Sequence, residues 1–150
     1  MSRALAVSAA VGILVLIGAL EARASALQLA ELGARARISP EGAGASALGL
    51  VASAAVYLAL GGWLRSDRDA LRMGALTGGL AGLIGGGLRA WIIAGAVRDA
   101  VDRYAAMPEW FVPVALVVYV AFALIVGAVA GAALALVGAR ARAAWTRPPA

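Results

Sequence analysis

The sequence contains no cysteine, histidine, lysine or asparagine. Without cysteine there can be no disulfide framework, thiol nucleophile or thiolate metal site. The lack of histidine removes the commonest general base and most zinc and haem sites, and the lack of lysine removes the P-loop lysine and Schiff-base chemistry. These absences exclude most catalytic arrangements. The sequence therefore predicts a protein that is not an enzyme and that binds neither a metal nor a cofactor.

Charge is also scarce, since only 14% of the residues are charged while 63% are hydrophobic and the mean hydropathy is +0.92. A soluble domain of 150 residues needs more polar surface than this composition supplies. The chain is long enough for one domain. We therefore expect residues 1–150 to form a single domain that lies in a lipid bilayer, with no nucleic-acid partner.

Long apolar stretches account for this composition. Four of them are close to or above the roughly 18–20 residues that span a bilayer as a helix, and they cover residues 4–20, 42–64, 73–97 and 111–137. The sequence thus predicts an all-α fold, an integral membrane bundle of four transmembrane helices. The first stretch also resembles a signal peptide cleaved after Ala24 or Ala26. It is longer than a typical signal core of about 7–15 residues, so we predict a retained helix.

Helix-start signals precede the later stretches. Ser39 and Pro40 give an N-cap followed by proline at the first helical position, and Ser66 with Asp69 forms a capping box. Pro108 and the residue after it, Glu109, are expected to open the fourth helix. Each signal falls just before an apolar stretch, as four separate helices require.

The segment between the first two stretches has its own helical pattern. Gln28, Glu31 and Arg35 fall on one helical face, and Glu31 and Arg35 are spaced as a favourable i,i+4 pair. Because Pro40 starts the next helix directly, this segment cannot extend far from the membrane. The pattern favours a short amphipathic helix lying in the interface. The alternative is that residues 22–38 continue the first helix.

The placement of arginine predicts the orientation. With four spans, five arginines fall on the side that faces away from the termini, and seven fall on the side of both termini, namely Arg3, Arg65, Arg68, Arg72, Arg140, Arg142 and Arg147. The sequence therefore predicts a multi-pass protein of a bacterial inner membrane with both termini in the cytoplasm. Anionic lipid at the cytoplasmic face is expected to attract these basic residues.

The glycine-rich run GALTGGLAGLIGGG, residues 74–87, lies inside the third stretch. A phosphate-binding glycine loop follows a strand and opens a soluble helix, which this run does not. Small residues instead recur every four positions, a spacing that keeps them near one helix face and lets a neighbouring backbone approach closely. The predicted packing seam consists of Gly74, Gly78, Gly82, Gly86 and Ala90, with Gly127 and Gly131 as its counterpart on the fourth helix.

Two uses of this seam stay open at the level of sequence. It can close helices of one chain on each other, or it can join chains in a homo-oligomer. A flexible gating helix is a third alternative, because adjacent glycines weaken a helix. On the second helix, Ala45, Gly49 and Ser53 offer a further set of small residues.

Arg89 is the one charged residue well inside a predicted span. It lies roughly 25 Å along the helix from Arg72, near the far edge of a bilayer core roughly 30 Å thick. At that depth an arginine can extend its guanidinium to the interface. The alternative is an intramembrane ion pair with Glu21 as first candidate partner and Glu109 as second. Such a pair would fix packing, bind an anionic headgroup or gate a path.

These features give three functional hypotheses. The first is a non-catalytic accessory or assembly subunit that packs through Gly/Ala seams within a larger membrane complex. The alternative is an oligomeric channel or transporter with a path near Arg89 and Glu21. A membrane-embedded enzyme is the third, and it would have to use the outer surface around Asp99 to Glu109.

Overall fold

The computed structural model describes residues 2–32, 40–64, 66–104 and 107–146. Four helices fill almost all of these ranges, and they are α1 (Arg3–Leu32), α2 (Pro40–Trp63), α3 (Asp67–Tyr104) and α4 (Phe111–Trp145). The predicted all-α fold is confirmed. The helices form one bundle in which no strand occurs over the described ranges.

Three of the four helices are long and apolar enough to cross a membrane. The qualifying segments are Arg3–Arg23 in α1, Asp67–Gly95 in α3 and Phe111–Trp145, the whole of α4. In α2 the apolar segment, Ala47–Trp63, is too short to qualify. The chain is therefore a helical protein with three helices compatible with membrane spans, and the fourth span stays a prediction.

The separate interfacial helix predicted between the first two spans is wrong over residues 22–32. Helix α1 continues through these positions to Leu32 without a break. Residues 21–32 contain neither glycine nor proline, and their alanine, leucine, glutamate and glutamine residues are strong helix formers, so nothing ends the helix there. Residues 33–39, including the Arg35 half of the predicted pair with Glu31, lie outside the described residues.

The helix-start signals locate two starts well and one approximately. Helix α2 begins at Pro40, and α3 begins directly after Ser66, whose carbonyl accepts a hydrogen bond of 2.9 Å from the Ala70 amide. Helix α4 begins at Phe111 rather than at Pro108. The Phe111 amide donates to the Pro108 carbonyl at 2.9 Å, so the residues between them form a turn before the helix.

Charged side chains bring one end of every helix together. Arg3 of α1 pairs with Asp69 of α3 at 3.0 Å, and Arg140 of α4 pairs with Asp67 of α3 at 3.2 Å. At the same level, Arg142 of α4 donates a 2.7 Å hydrogen bond to the Gly62 carbonyl near the end of α2. We call this the termini end of the bundle, and the other the hairpin end.

The four helices are arranged as a square whose corners do not follow chain order. Helix α3 packs chiefly against α4 and α1, and α2 packs chiefly against α4 and α1 as well, so α2 and α3 stand on a diagonal with few direct contacts. Buried alanine and leucine side chains fill the centre near the termini end, and this core consists of Ala6, Leu60, Leu64, Ala70, Ala135 and Ala139. The small side chains allow the close approach of the helices described next.

Candidate functional site

The predicted glycine seam on α3 lies directly against α4 of the same chain. A methyl group at Gly78 would lie 2.6 Å from the carbonyl carbon of Gly127, and one at Gly82 would lie 2.8 Å from the carbonyl carbon of Ala123. One turn nearer the termini end, Gly74 meets the backbone of Gly131. These are backbone-to-backbone contacts that no side chain would permit, and they gain dispersion energy along the whole seam.

The seam loosens toward the hairpin end. At Gly86 the nearest atom of α4 is the Ala123 methyl group, and an added methyl there would lie 2.9 Å from it rather than against backbone. Ala90 is buried and borders an apolar groove of about 440 Å³ between the two helices, with Leu83, Leu116 and Val120 on its walls. Helices α3 and α4 therefore separate as they approach the hairpin end.

A second seam, between α2 and α4, was not among the sequence-based expectations. A methyl group at Gly61 would lie 2.7 Å from the Cα of Ala135, and one at Gly138 would lie 2.9 Å from the carbonyl carbon of Leu58. Helix α4 thus presents small residues to two neighbours. The available signal was Gly138, which follows Gly127, Gly131 and Ala135 at a step of three residues instead of four and so stays near the same helix face, together with the Gly61-Gly62 pair.

Of the small residues expected on α2, Gly49 faces α1 instead of a seam. A methyl group at Gly49 would collide with the Glu21 carboxylate, whose carboxyl carbon would lie 2.5 Å away. The missing side chain at Gly49 is what makes room for the Glu21 carboxylate between α1 and α2. Ser53 is half-buried on the same helix.

The structure places Arg89 beside Glu21. Their nearest charged atoms, Arg89 Nη1 and Glu21 Oε2, are 3.7 Å apart, and the side chains remain 32% and 22% exposed. This separation is longer than the roughly 2.7–2.9 Å of a charge-assisted hydrogen bond. Glu109, the second candidate partner, lies elsewhere, on the wall of a cavity of about 400 Å³ with Arg98 and Asp102.

The Glu21–Arg89 pair borders a cavity to which all four helices contribute. Its volume is about 540 Å³, and its lining includes Glu21, Gly49, Ser53, Tyr57, Arg89 and Leu134. A charge pair and two hydroxyl-bearing side chains therefore share one cavity with apolar walls, within the size range of small-molecule sites. Below it, toward the termini end, lies the alanine and leucine core.

Two polar features lie outside this cavity. Thr77 is fully buried, and its hydroxyl has no hydrogen-bond partner within the described part of the chain. At the termini end, a cavity of about 320 Å³ is bordered by Arg3, Trp63 and Arg142. The first is an energetic defect in the core. The second places two cations beside an aromatic ring of the kind found at the headgroup level of membranes.

Comparison with protein-family models, with curated proteins and with solved structures finds no match for this chain. Its function is therefore inferred from the seams, the exposed helix faces and the Glu21–Arg89 cavity.

Proposed function

We propose that this chain is a non-catalytic subunit of a membrane assembly, anchored by four spans in a bacterial inner membrane with both termini in the cytoplasm. The observation that carries the proposal is the exposure of α4. Between Val112 and Gly131 every residue of this helix keeps part of its surface exposed, although Ala123 and Gly127 contact α3. An exposed apolar stripe runs along it at a spacing of three or four residues, through Val114, Val118, Phe122, Ile125 and Val129.

Such a stripe needs a cover of lipid or of another helix. Helix α4 is apolar on every side over residues 111–139, so it has more apolar surface than its own bundle covers. Here the glycine seams occupy one side of α4 with α2 and α3, and the apolar stripe is left on the outside. The seams are thus used within the chain, and the stripe on α4 is the surface we assign to a partner subunit.

The contacts at the termini end support a fourth span. Because Arg3 at the start of α1 pairs with Asp69 at the start of α3, α2 must return over the distance that α1 covers. Helix α2 has 24 residues, so it is about 36 Å long, against a bilayer core of about 30 Å. The length of α2 is therefore sufficient to cross the bilayer core, although its apolar segment, Ala47–Trp63, is shorter than the helix.

The charge distribution supports the cytoplasmic assignment of the termini end. Five described arginines cluster there, namely Arg3, Arg68, Arg72, Arg140 and Arg142. Positive charge is retained on the cytoplasmic side of membrane proteins, where anionic lipid adds to its stabilisation. The non-catalytic assignment is supported by the residue types that the sequence lacks.

Single cysteines test the topology, because the chain has none of its own. Ser66→Cys and Thr146→Cys should be labelled by an impermeant maleimide only from the cytoplasmic side, and Met107→Cys only from the opposite side. If α2 did not cross the membrane, the chain would have three spans. Ser66→Cys and Met107→Cys would still be labelled from opposite sides, but Ser2→Cys and Ser66→Cys would then also be labelled from opposite sides, whereas four spans put both on the cytoplasmic side. That result would refute the four-span arrangement.

Site-specific photo-crosslinking tests the subunit role. A photoreactive residue at Val118 or Phe122 on the stripe should yield one protein adduct of defined mass in the native membrane. The matched control is the exposed Leu50 on α2, which should yield lipid adducts. Loss of the same partner from native mass spectra after Phe122→Arg would support the assignment. Lipid adducts alone at all three positions would refute it.

The cavity at Glu21 and Arg89 supports a second candidate, an oligomeric channel or transporter. Its volume of about 540 Å³ can hold a small solute. Against continuous passage stand the buried Tyr57, Leu60 and Leu64 between the cavity and the termini end. Solute flux into proteoliposomes that is abolished by Arg89→Ala would favour this candidate over the accessory role.

A further inference from the structure

We propose that the cavity around Glu21 and Arg89 binds a zwitterionic group that carries a phosphate and an ammonium, as in the headgroup of phosphatidylethanolamine. The phosphate would contact Arg89 and the ammonium would contact Glu21. This binding requires the cavity to lie at the bilayer surface, but it is independent of the accessory role proposed above.

The geometry of the pair leaves room for a ligand. At 3.7 Å, Arg89 Nη1 and Glu21 Oε2 attract each other without forming a hydrogen bond. A guanidinium has five N–H donors, and about a third of the Arg89 side chain remains exposed. A phosphate can therefore take up the donors of Arg89 from the cavity side.

The charge of the pair selects among ligands. A purely anionic headgroup on Arg89 would also lie within a few ångströms of the Glu21 carboxylate and would be repelled by it. A purely cationic group would be repelled by Arg89 in the same way. A group with both charges can meet both partners at once, because the guanidinium and the carboxylate are opposite in charge and their nearest charged atoms are 3.7 Å apart.

The depth of the pair matches the headgroup layer. Along α1 and α3, Glu21 lies about 27 Å from Arg3 and Arg89 about 33 Å from Asp67. A bilayer core is about 30 Å thick, so with the termini end at one surface the pair lies at the other. The exposed Leu50 beside the cavity gives the ligand's apolar part a surface to follow.

Gly49 provides a variant that moves a charge without removing it. A methyl group there would collide with the Glu21 carboxylate, which is the far end of a flexible side chain and can shift. Gly49→Ala should therefore displace the carboxylate and leave the helices in place. The matched control is Arg140→Ala, which removes an exposed arginine from an ion pair at the termini end.

The test reconstitutes the full chain in nanodiscs of equal phosphatidylethanolamine and phosphatidylglycerol and identifies the retained lipid by native mass spectrometry. We expect the wild type and Arg140→Ala to retain phosphatidylethanolamine about tenfold over phosphatidylglycerol. Arg89→Ala and Gly49→Ala should lose this retention. Glu21→Gln, which removes the repulsion of anions, should shift the preference to phosphatidylglycerol.

A second arm separates a lipid from a soluble ligand. Delipidated protein in detergent is melted with phosphoethanolamine or with inorganic phosphate. If phosphoethanolamine stabilises the protein, the ligand is a soluble zwitterion. If lipid is retained but phosphoethanolamine does not stabilise the protein, the ligand is the lipid headgroup. Either result supports the proposed contacts of Arg89 with phosphate and of Glu21 with ammonium. Four results would each overturn the proposal. They are stabilisation by inorganic phosphate alone, a preference of the wild type for phosphatidylglycerol, binding of neither a lipid nor a soluble ligand, and an unchanged lipid preference in Glu21→Gln.

Discussion

Two neighbouring glycines on α3 give the sharpest test of the packing seam. A methyl group at Gly78 would lie 2.6 Å from the carbonyl carbon of Gly127, whereas one at Gly79 would lie 3.7 Å from the Ala128 methyl, an ordinary contact. Both positions share a helix turn and a depth in the bundle. Alanine has the same intrinsic helix preference at either position, so the difference between Gly78→Ala and Gly79→Ala reports the seam alone.

The expected magnitude follows from these distances. Carbon atoms in contact lie about 3.5 Å apart, so Gly78→Ala forces α3 and α4 apart by about 1 Å. A gap of that size forfeits roughly a quarter to a half of each dispersion contact, and overpacking of this kind costs about 1–3 kcal/mol. Gly79→Ala should gain about 1 kcal/mol of helix stability. Gly78→Ala shares this gain, so the two variants should differ by the overpacking cost alone, about 1–3 kcal/mol, or roughly 6 °C in melting temperature.

Thermal unfolding followed by circular dichroism in nanodiscs measures this difference. Gly127→Ala should fall between the two variants, because a methyl group there would lie 3.1 Å from the Gly78 carbonyl carbon. Melting temperatures of Gly78→Ala and Gly79→Ala within about 2 °C of each other would show that α3 and α4 do not meet at this seam.

Two further predictions concern single polar groups. Thr77→Val should stabilise the protein by about 1 kcal/mol, since it removes a buried hydroxyl that has no partner among the described residues; a lower melting temperature for this variant would show that the hydroxyl is hydrogen-bonded. Arg142→Ala should lower stability by about 1 kcal/mol, because it leaves the Gly62 carbonyl without its donor. Arg140→Ala removes only an exposed ion pair and should change stability by less than about 0.5 kcal/mol. Equal losses of stability in Arg142→Ala and Arg140→Ala would show that the hydrogen bond from Arg142 to the Gly62 carbonyl adds nothing.

Local patterns in the sequence predict the helices well. Apolar runs predict α1, α3 and α4, and Pro40 and Ser66 predict where α2 and α3 begin. The four-residue spacing from Gly74 to Gly86 identifies the face of α3 that meets α4. These features depend on the residues of one helix at a time, so spacing and capping chemistry are sufficient to find them.

Features that depend on which helix faces which are harder to predict. The spacing on α2 suggested Gly49 as a packing residue, yet this glycine accommodates a carboxylate of α1, and Gly61 makes the contact with α4. Likewise, the amphipathic pattern around Gln28 suggested a separate helix, but no residue before Leu32 interrupts α1. The face of a helix that carries small or apolar residues follows from the sequence of that helix alone. Which helix packs against this face depends on the arrangement of all four helices.

The diagonal placement of α2 and α3 has a consequence for how the protein is made. Helices α1 and α2 emerge first from the ribosome and contact each other, but each packs more extensively against a helix of the second half of the chain, α1 against α3 and α2 against α4. Until the second half is made, the first hairpin lacks the Arg89 guanidinium that lies beside Glu21, and the Gly61 face of α2 is uncovered. The C-terminal hairpin is closed by its own seam and supplies both of these contacts, and the pairing of Arg3 with Asp69 joins the first helix to it.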